Sequence, residues 1–194
     1  MPYIDVDKNL PGIRSLMAFR PETAKPLSDL AEALLRDTTG LSRAERELIA
    51  THVSYLNDCF YCHNSHGELA VCYLDGNREL VDAVRKDYRH ADISEKLKAL
   101  LQIAAKVQQG GKSVLPEDIE NAKRHEATDR DIHDTVLIAA AFCMFNRYVD
   151  GLASVAPKDM ASYPLRARQV AENGYGPHIY STAQPKAAQE EIHS

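Results

Sequence analysis

The octapeptide CFYCHNSH, residues 59–66, sets two cysteines three positions apart and a histidine four positions beyond the second. Three chemistries use such residues. CFYCH is a literal C-x-x-C-H haem c attachment string, Cys59, Cys62 and His66 could bind zinc with Glu47 as a fourth ligand, and C-x-x-C is a common dithiol redox motif. Haem of this type is attached outside the cytoplasm, yet neither an export signal nor a distinctive second axial ligand accompanies the string. Structural zinc sites usually draw ligands from two knuckles, and no second C-x-x-C or H-x-x-x-H follows.

The dithiol reading uses more of the local sequence. A helix capped by Asn57 or Asp58 would carry both cysteines in its first turn, where the positive end of the helix dipole favours thiolate over thiol. His66 lies one turn beyond Cys62 on the same face and can exchange a proton with that sulfur, directly or through water. Glu47, on the preceding helix, can fix the imidazole tautomer and hold its charge. An acid, a histidine and a thiol make the minimal relay for an activated cysteine. His63 stands in the same relation to Cys59 and could serve that sulfur or simply face solvent.

The elements that must position these residues read as helices joined by short turns. Pro21 and Glu22 open an apolar-periodic run that ends at the turn DTTG, and Ser42 with Glu45 forms a capping box for a helix to about Leu56. The CxxC helix follows, to Leu74. Further helices are expected over 78–87, 94–109, 116–125 and 162–173, with Thr128 and Asp131 capping a long helix to about Leu152. That last helix is apolar nearly all round, which predicts a buried central position. GGKS at 110–113 is no phosphate loop, because the Walker spacing is absent and no strand precedes it. The expected fold is all-α: a compact bundle over residues 1–180 with the CxxC at the start of a central helix, followed by a flexible tail over 181–194.

Other polar residues carry weaker signals. His52, His125 and His133 are expected at the surface or at caps, and Cys72 and Cys143 as inert core thiols. Asn146 and Arg147, at the polar break of the long apolar helix, could line the site or bind a helix end.

Composition excludes some classes of partner. A formal charge of -5 with mixed signs offers no basic stripe for nucleic acid. The start MPYIDVDKNLPG has no secretory pattern, and the longest apolar run, 136–145, is too short for a bilayer core of roughly 30 Å. A soluble cytoplasmic protein without membrane partners is expected. In that reducing setting a close cysteine pair is metal-binding or redox-active more often than structural.

Glu47, Cys59, Cys62 and His66 match the E-x11-C-x-x-C-x-x-x-H pattern of the alkylhydroperoxidase D proteins, within the carboxymuconolactone decarboxylase superfamily. The surrounding LSRAERELIATHVSYLNDCFYCHNSH and the later FNRYVDGLA resemble the peroxidase-related branch, and the resemblance covers roughly residues 11–164. It implies an AhpD-like helical bundle, a homo-oligomer (trimer or hexamer), and thiol-dependent reduction of a small-molecule hydroperoxide in antioxidant defence. Cys62 would attack the peroxide, Cys59 would resolve the sulfenic acid, and a lipoyl or thioredoxin-type dithiol would reduce the resulting disulfide. No cofactor or metal is implied. One departure is that the founding members carry a histidine just before the second cysteine, where this chain has Tyr61. Two alternatives belong to other classes: a non-enzymatic zinc-binding helical module, and a decarboxylase or lactone-transforming enzyme acting without the cysteines.

Overall fold

Several helix starts in this chain are fixed by side chains that satisfy otherwise free amides. The Glu45 N–H donates to Ser42 Oγ at 3.2 Å and the Ser42 N–H donates to the Glu45 carboxylate at 2.8 Å, which sets the start of the helix Arg43–Leu56. Thr128 and Asp131 repeat the arrangement ahead of the helix Asp129–Gly151. The computed structural model describes residues 1–176, so the expected tail and domain boundary at 180 lie outside the described residues. Its helices are α1 (Ile13–Phe19), α2 (Pro21–Leu35), α3 (Arg43–Leu56), α4 (Phe60–Tyr73) and α5 (Arg78–Asp87), then α6 (Glu95–Gln109), α7 (Pro116–Arg124), α8 (Asp129–Gly151) and α9 (Ser162–Asn173). A short 3-10 turn, Gly111–Ser113, separates α6 from α7. Among the described residues there is no strand, and the fold is all-α.

The packing puts the CxxC helix inside. α4 lies against α3 and α9, while α3 backs onto α8 and α6, and α6 packs on both α8 and α7. Ile49, Val53, Leu100, Leu101, Ile103 and Ile138 fill the core between them with no exposed surface. Each such side chain contributes roughly 1.5–3 kcal/mol by leaving water. Arg46 is buried beside them because every direction it points has an acceptor. It donates to the carbonyls of Leu41, Leu34 and Thr39 and to Asp134, at 2.8–3.0 Å, tying the α2–α3 turn to α8. Among the described residues no helix is long and apolar enough to cross a membrane.

Several expectations are corrected. α1 has no counterpart in the sequence reading, being too short to show a period. Neither Asn57 nor Asp58 caps α4: Asn57 ends α3, Asp58 turns the chain at φ 55, and Cys59 occupies the N-cap. α8 is not buried all round either. Leu137 and Met144, 39% and 44% exposed, lie on an outward stripe with Ala140 and Arg147, because among the described residues no helix packs against that side of α8. His52 is buried rather than at the surface, His125 caps α7 and His133 is exposed, and Cys72 and Cys143 are half-buried.

Candidate active site

Glu47 has no exposed surface, and its two oxygens have separate partners. Oε2 lies 2.8 Å from His66 Nδ1 on α4, and Oε1 accepts from the Tyr175 hydroxyl at 2.8 Å. A carboxylate at Nδ1 selects the tautomer with hydrogen there and leaves Nε2 as the basic atom. The His66 ring is held on two sides: the edge contact with Phe142 has centroids 4.6 Å apart, and the Tyr175 ring lies nearly parallel at 6.2 Å.

Tyr175 reaches this position because the chain after α9 turns back onto α2. Gly174 makes the turn at φ 78, and a Cβ there would come within 2.5 Å of the Glu32 carboxylate. Glu32 in turn accepts the Tyr175 N–H at 2.7 Å and the Arg36 Nε–H at 2.9 Å, while Arg36 donates to the carbonyls of Val170 and Ala171. Burial and then the Glu47 charge hold the Tyr175 phenol well above its usual range, so it stays a donor.

The two cysteines are reduced and differ in surroundings. Cys59 is wholly buried at the N-cap, and Cys62 is 4% exposed in the first turn. A hydrogen bond to the Cys62 side chain, followed by burial, pushes the Cys59 thiol far above its ordinary range. Asp150, near the C-terminus of α8, also hydrogen-bonds Cys59, and burial raises its own carboxyl. Cys59 therefore stays a thiol and donates to the Cys62 sulfur.

Cys62 and His66 line one cavity of about 90 Å³ whose walls are mostly apolar, including Met17, Leu69 and Phe145. Cys59 is not among its lining residues. Tyr61 forms part of the wall; burial, with the Cys62 charge second, pushes its phenol up to about 12. Its ring rests on Gly12, where φ is 58 and a Cβ would come within 2.1 Å of the ring, so no larger residue fits.

The remaining expected residues divide. Asn146 accepts from Asn57 Nδ2 at 2.8 Å and donates to Ser54 Oγ at 3.0 Å. It thus grips the turn from which the Cys59 N–H reaches the Ser54 carbonyl. Arg147 is exposed and donates to the Cys143 carbonyl of its own helix. His63 sits between the rings of Tyr55 and Phe60, and burial, helped by the Arg85 charge, lowers its pKa to about 4. Its carbonyl, not its ring, receives Arg85 at 2.7 Å. Among the described residues, no group of three or more His, Cys, Asp or Glu side chains is placed to hold a metal ion.

Sequence reasoning brought Glu47, Cys62 and His66 to one place and missed Tyr175 and Asp150. Gly174 marked only the end of a helix; nothing in the spacing told where the chain went next. The string FNRYVDGLA contains Asp150, but the relation of that residue to Cys59 exists only once α8 is packed.

The carboxymuconolactone decarboxylase family matches residues 21–85, which contain Glu47, both cysteines of the pair and His66. Among solved structures, the chain is similar to an alkylhydroperoxidase AhpD core, an uncharacterized peroxidase-related protein from Ralstonia eutropha JMP134. The TM-score is 0.72 and the identity 29%, over 81% of each chain. An uncharacterized peroxidase-related protein from Silicibacter sp. TM1040 is similar at TM-score 0.71 and 31% identity, again over 81% of each chain. No curated protein matches the chain.

Proposed function

Since the chain belongs to the carboxymuconolactone decarboxylase family, in its AhpD-like, peroxidase-related branch, we propose that it reduces organic hydroperoxides with the Cys59–Cys62 dithiol. The observation that carries this reading is the shared cavity wall of Cys62 and His66, with His66 anchored at Nδ1 by Glu47. Nε2 of His66 takes the Cys62 proton. The thiolate attacks the terminal oxygen of the hydroperoxide, the O–O bond breaks, and the departing alkoxide leaves as alcohol with the proton returned by His66. Cys62 is now a sulfenic acid. The Cys59 sulfur attacks it, a disulfide forms, and the expelled hydroxyl leaves as water with the Cys59 proton. An external dithiol of lipoyl or thioredoxin type restores both thiols, supplying two electrons and two protons. No cofactor enters this scheme.

Asp150, bonded to Cys59, serves as the base for the resolving step, in the role that the founding members' extra histidine would play. The outward stripe of α8 supports self-association, and sedimentation of a Met144→Glu variant beside wild type tests it. The activity itself is tested by hydroperoxide turnover with dihydrolipoamide. Cys62→Ser abolishes it, and Cys59→Ser leaves a sulfenic acid on Cys62 that dimedone traps. An adduct on Cys59 instead would reverse the two roles.

A further inference from the structure

The cavity that holds Cys62 and His66 is joined by a second hollow, and the two share Arg14, Arg166, Tyr61, Ser65 and Tyr163. Two guanidinium groups therefore stand where the two spaces meet. No Asp or Glu lines either space among the described residues. Arg166 Nη1 donates to Gln169 at 3.0 Å, whereas its Nη2 is buried with no hydrogen-bond partner among the described residues. Burial, and secondly the charge of Arg14, lower the Arg166 pKa to about 10.

A buried guanidinium nitrogen without an acceptor is costly unless something negative completes it. The peroxide chemistry of Cys62 does not need it, because the departing alkoxide is served by His66. A mostly apolar cavity with that nitrogen in its wall suits a molecule with a hydrocarbon body and an acidic group. Arginine is the side chain whose fork fits a carboxylate in two-point contact.

We propose that the substrates are hydroperoxides bearing a carboxylate, with the carboxylate bound by Arg166 and the hydroperoxide group directed at Cys62. This rests on the peroxidase reading for the reaction and on Arg166 alone for recognition. The two parts are separable by measuring binding without turnover.

The probes are the para-carboxylate of cumene hydroperoxide, the methyl ester of that acid, and the unreactive para-carboxylate of cumyl alcohol. In wild type the acid is used roughly ten- to a hundred-fold better than the ester in kcat/KM, the range expected for a charge-assisted hydrogen bond. Arg166→Gln removes that preference by bringing kcat/KM for the acid down to that for the ester, and Arg166→Lys keeps part of it. Calorimetry of the alcohol carboxylate shows the same ranking among the three proteins. Should Arg166→Gln fold poorly, the wild-type comparison of acid with ester, and its collapse at high salt, still decides. Equal use and equal binding of acid and ester by wild type overturn the proposal, as does an Arg166→Gln protein that retains the preference. Tight, Arg166-dependent binding of the alcohol carboxylate without turnover of either peroxide supports the anion site and removes the peroxidase reading instead.

Discussion

α3 carries a buried polar side chain on each of two faces, and the protein treats them in opposite ways. Glu47 and His52 are five residues apart, which turns them about 140° from one another around the helix axis. Glu47 looks toward α4 and the chain after α9, and both of its oxygens are engaged. His52 looks toward α5 and meets the Tyr88 ring edge-on at 4.9 Å, with neither ring nitrogen hydrogen-bonded among the described residues. Burial, with the Arg89 charge second, lowers the His52 pKa to about 4. The contrast teaches that burial alone makes a neutral ring, whereas burial with a partner on one nitrogen leaves the other ready for proton transfer.

The contrast breaks most readily in turnover. His66→Ala and Glu47→Gln are each expected to lower hydroperoxide turnover by ~10²–10⁴, the usual worth of a positioned acid–base group. The double variant should lose little more than either single one, because the pair acts as a unit. His52→Gln should stay within about two-fold of wild type on the same grounds. Steady-state kinetics on the four proteins checks all of this; additive losses from Glu47 and His66 sink the unit.

A smaller effect appears in stability against pH. The His52 pKa is about 4 folded and ~6.5 unfolded, so between those values the unfolded chain binds the extra proton. Stability therefore declines as pH falls through that window, by about 3 kcal/mol for this residue. His63, lowered likewise, adds a slope of the same sign. Urea melts at pH 7 and pH 4.5 should show a shallower decline for His52→Leu than for wild type, and an unchanged slope would remove His52 from the account.

Tyr175→Phe tests how firmly Glu47 must be held. Losing one hydrogen bond to the carboxylate should cost ~1–2 kcal/mol of stability and lower kcat several-fold, with KM unchanged. Tyr175 also lines the cavity, and a KM increase at constant kcat would make that its role rather than support for the acid. Smallest of all is His63→Gln, expected to change the rate at which the Cys62 sulfenic acid is resolved by less than about three-fold. Stopped-flow loss of dimedone reactivity measures it, and a ten-fold drop would restore His63 as the relay to Cys59.

The parts of this architecture that are local were legible in the sequence. Ser42, Ser94 and Thr128 mark helix starts because each cap lies within three residues of the amide it satisfies. Glu47, Cys62 and His66 were legible for a similar reason: two adjacent helices joined by a tight turn keep them close. The start of α4 was misread because Asn57 spends its side chain on Asn146 and Gln108 instead of on the next helix. The stripe at Leu137 and Met144 could not be told from core, since composition does not reveal which side of a helix lacks a neighbour. Tyr175 and Arg166 enter through contacts across more than a hundred residues, and no short-range pattern encodes those.

The depth of the dithiol has one more consequence, for how the four cysteines meet reagents in solution. Cys59 and Cys62 are shut away while Cys72 and Cys143 are only half-covered. The proposed chemistry and accessibility thus favour different sulfurs. A bulky alkylating agent should mark the two outlying thiols first, although they have no part in the chemistry, and reach the pair only at the frequency with which the surrounding helices part. The labelling lag then becomes a clock for that opening, and whatever slender molecule shortens the lag, or bypasses it, has found the route through the cavity.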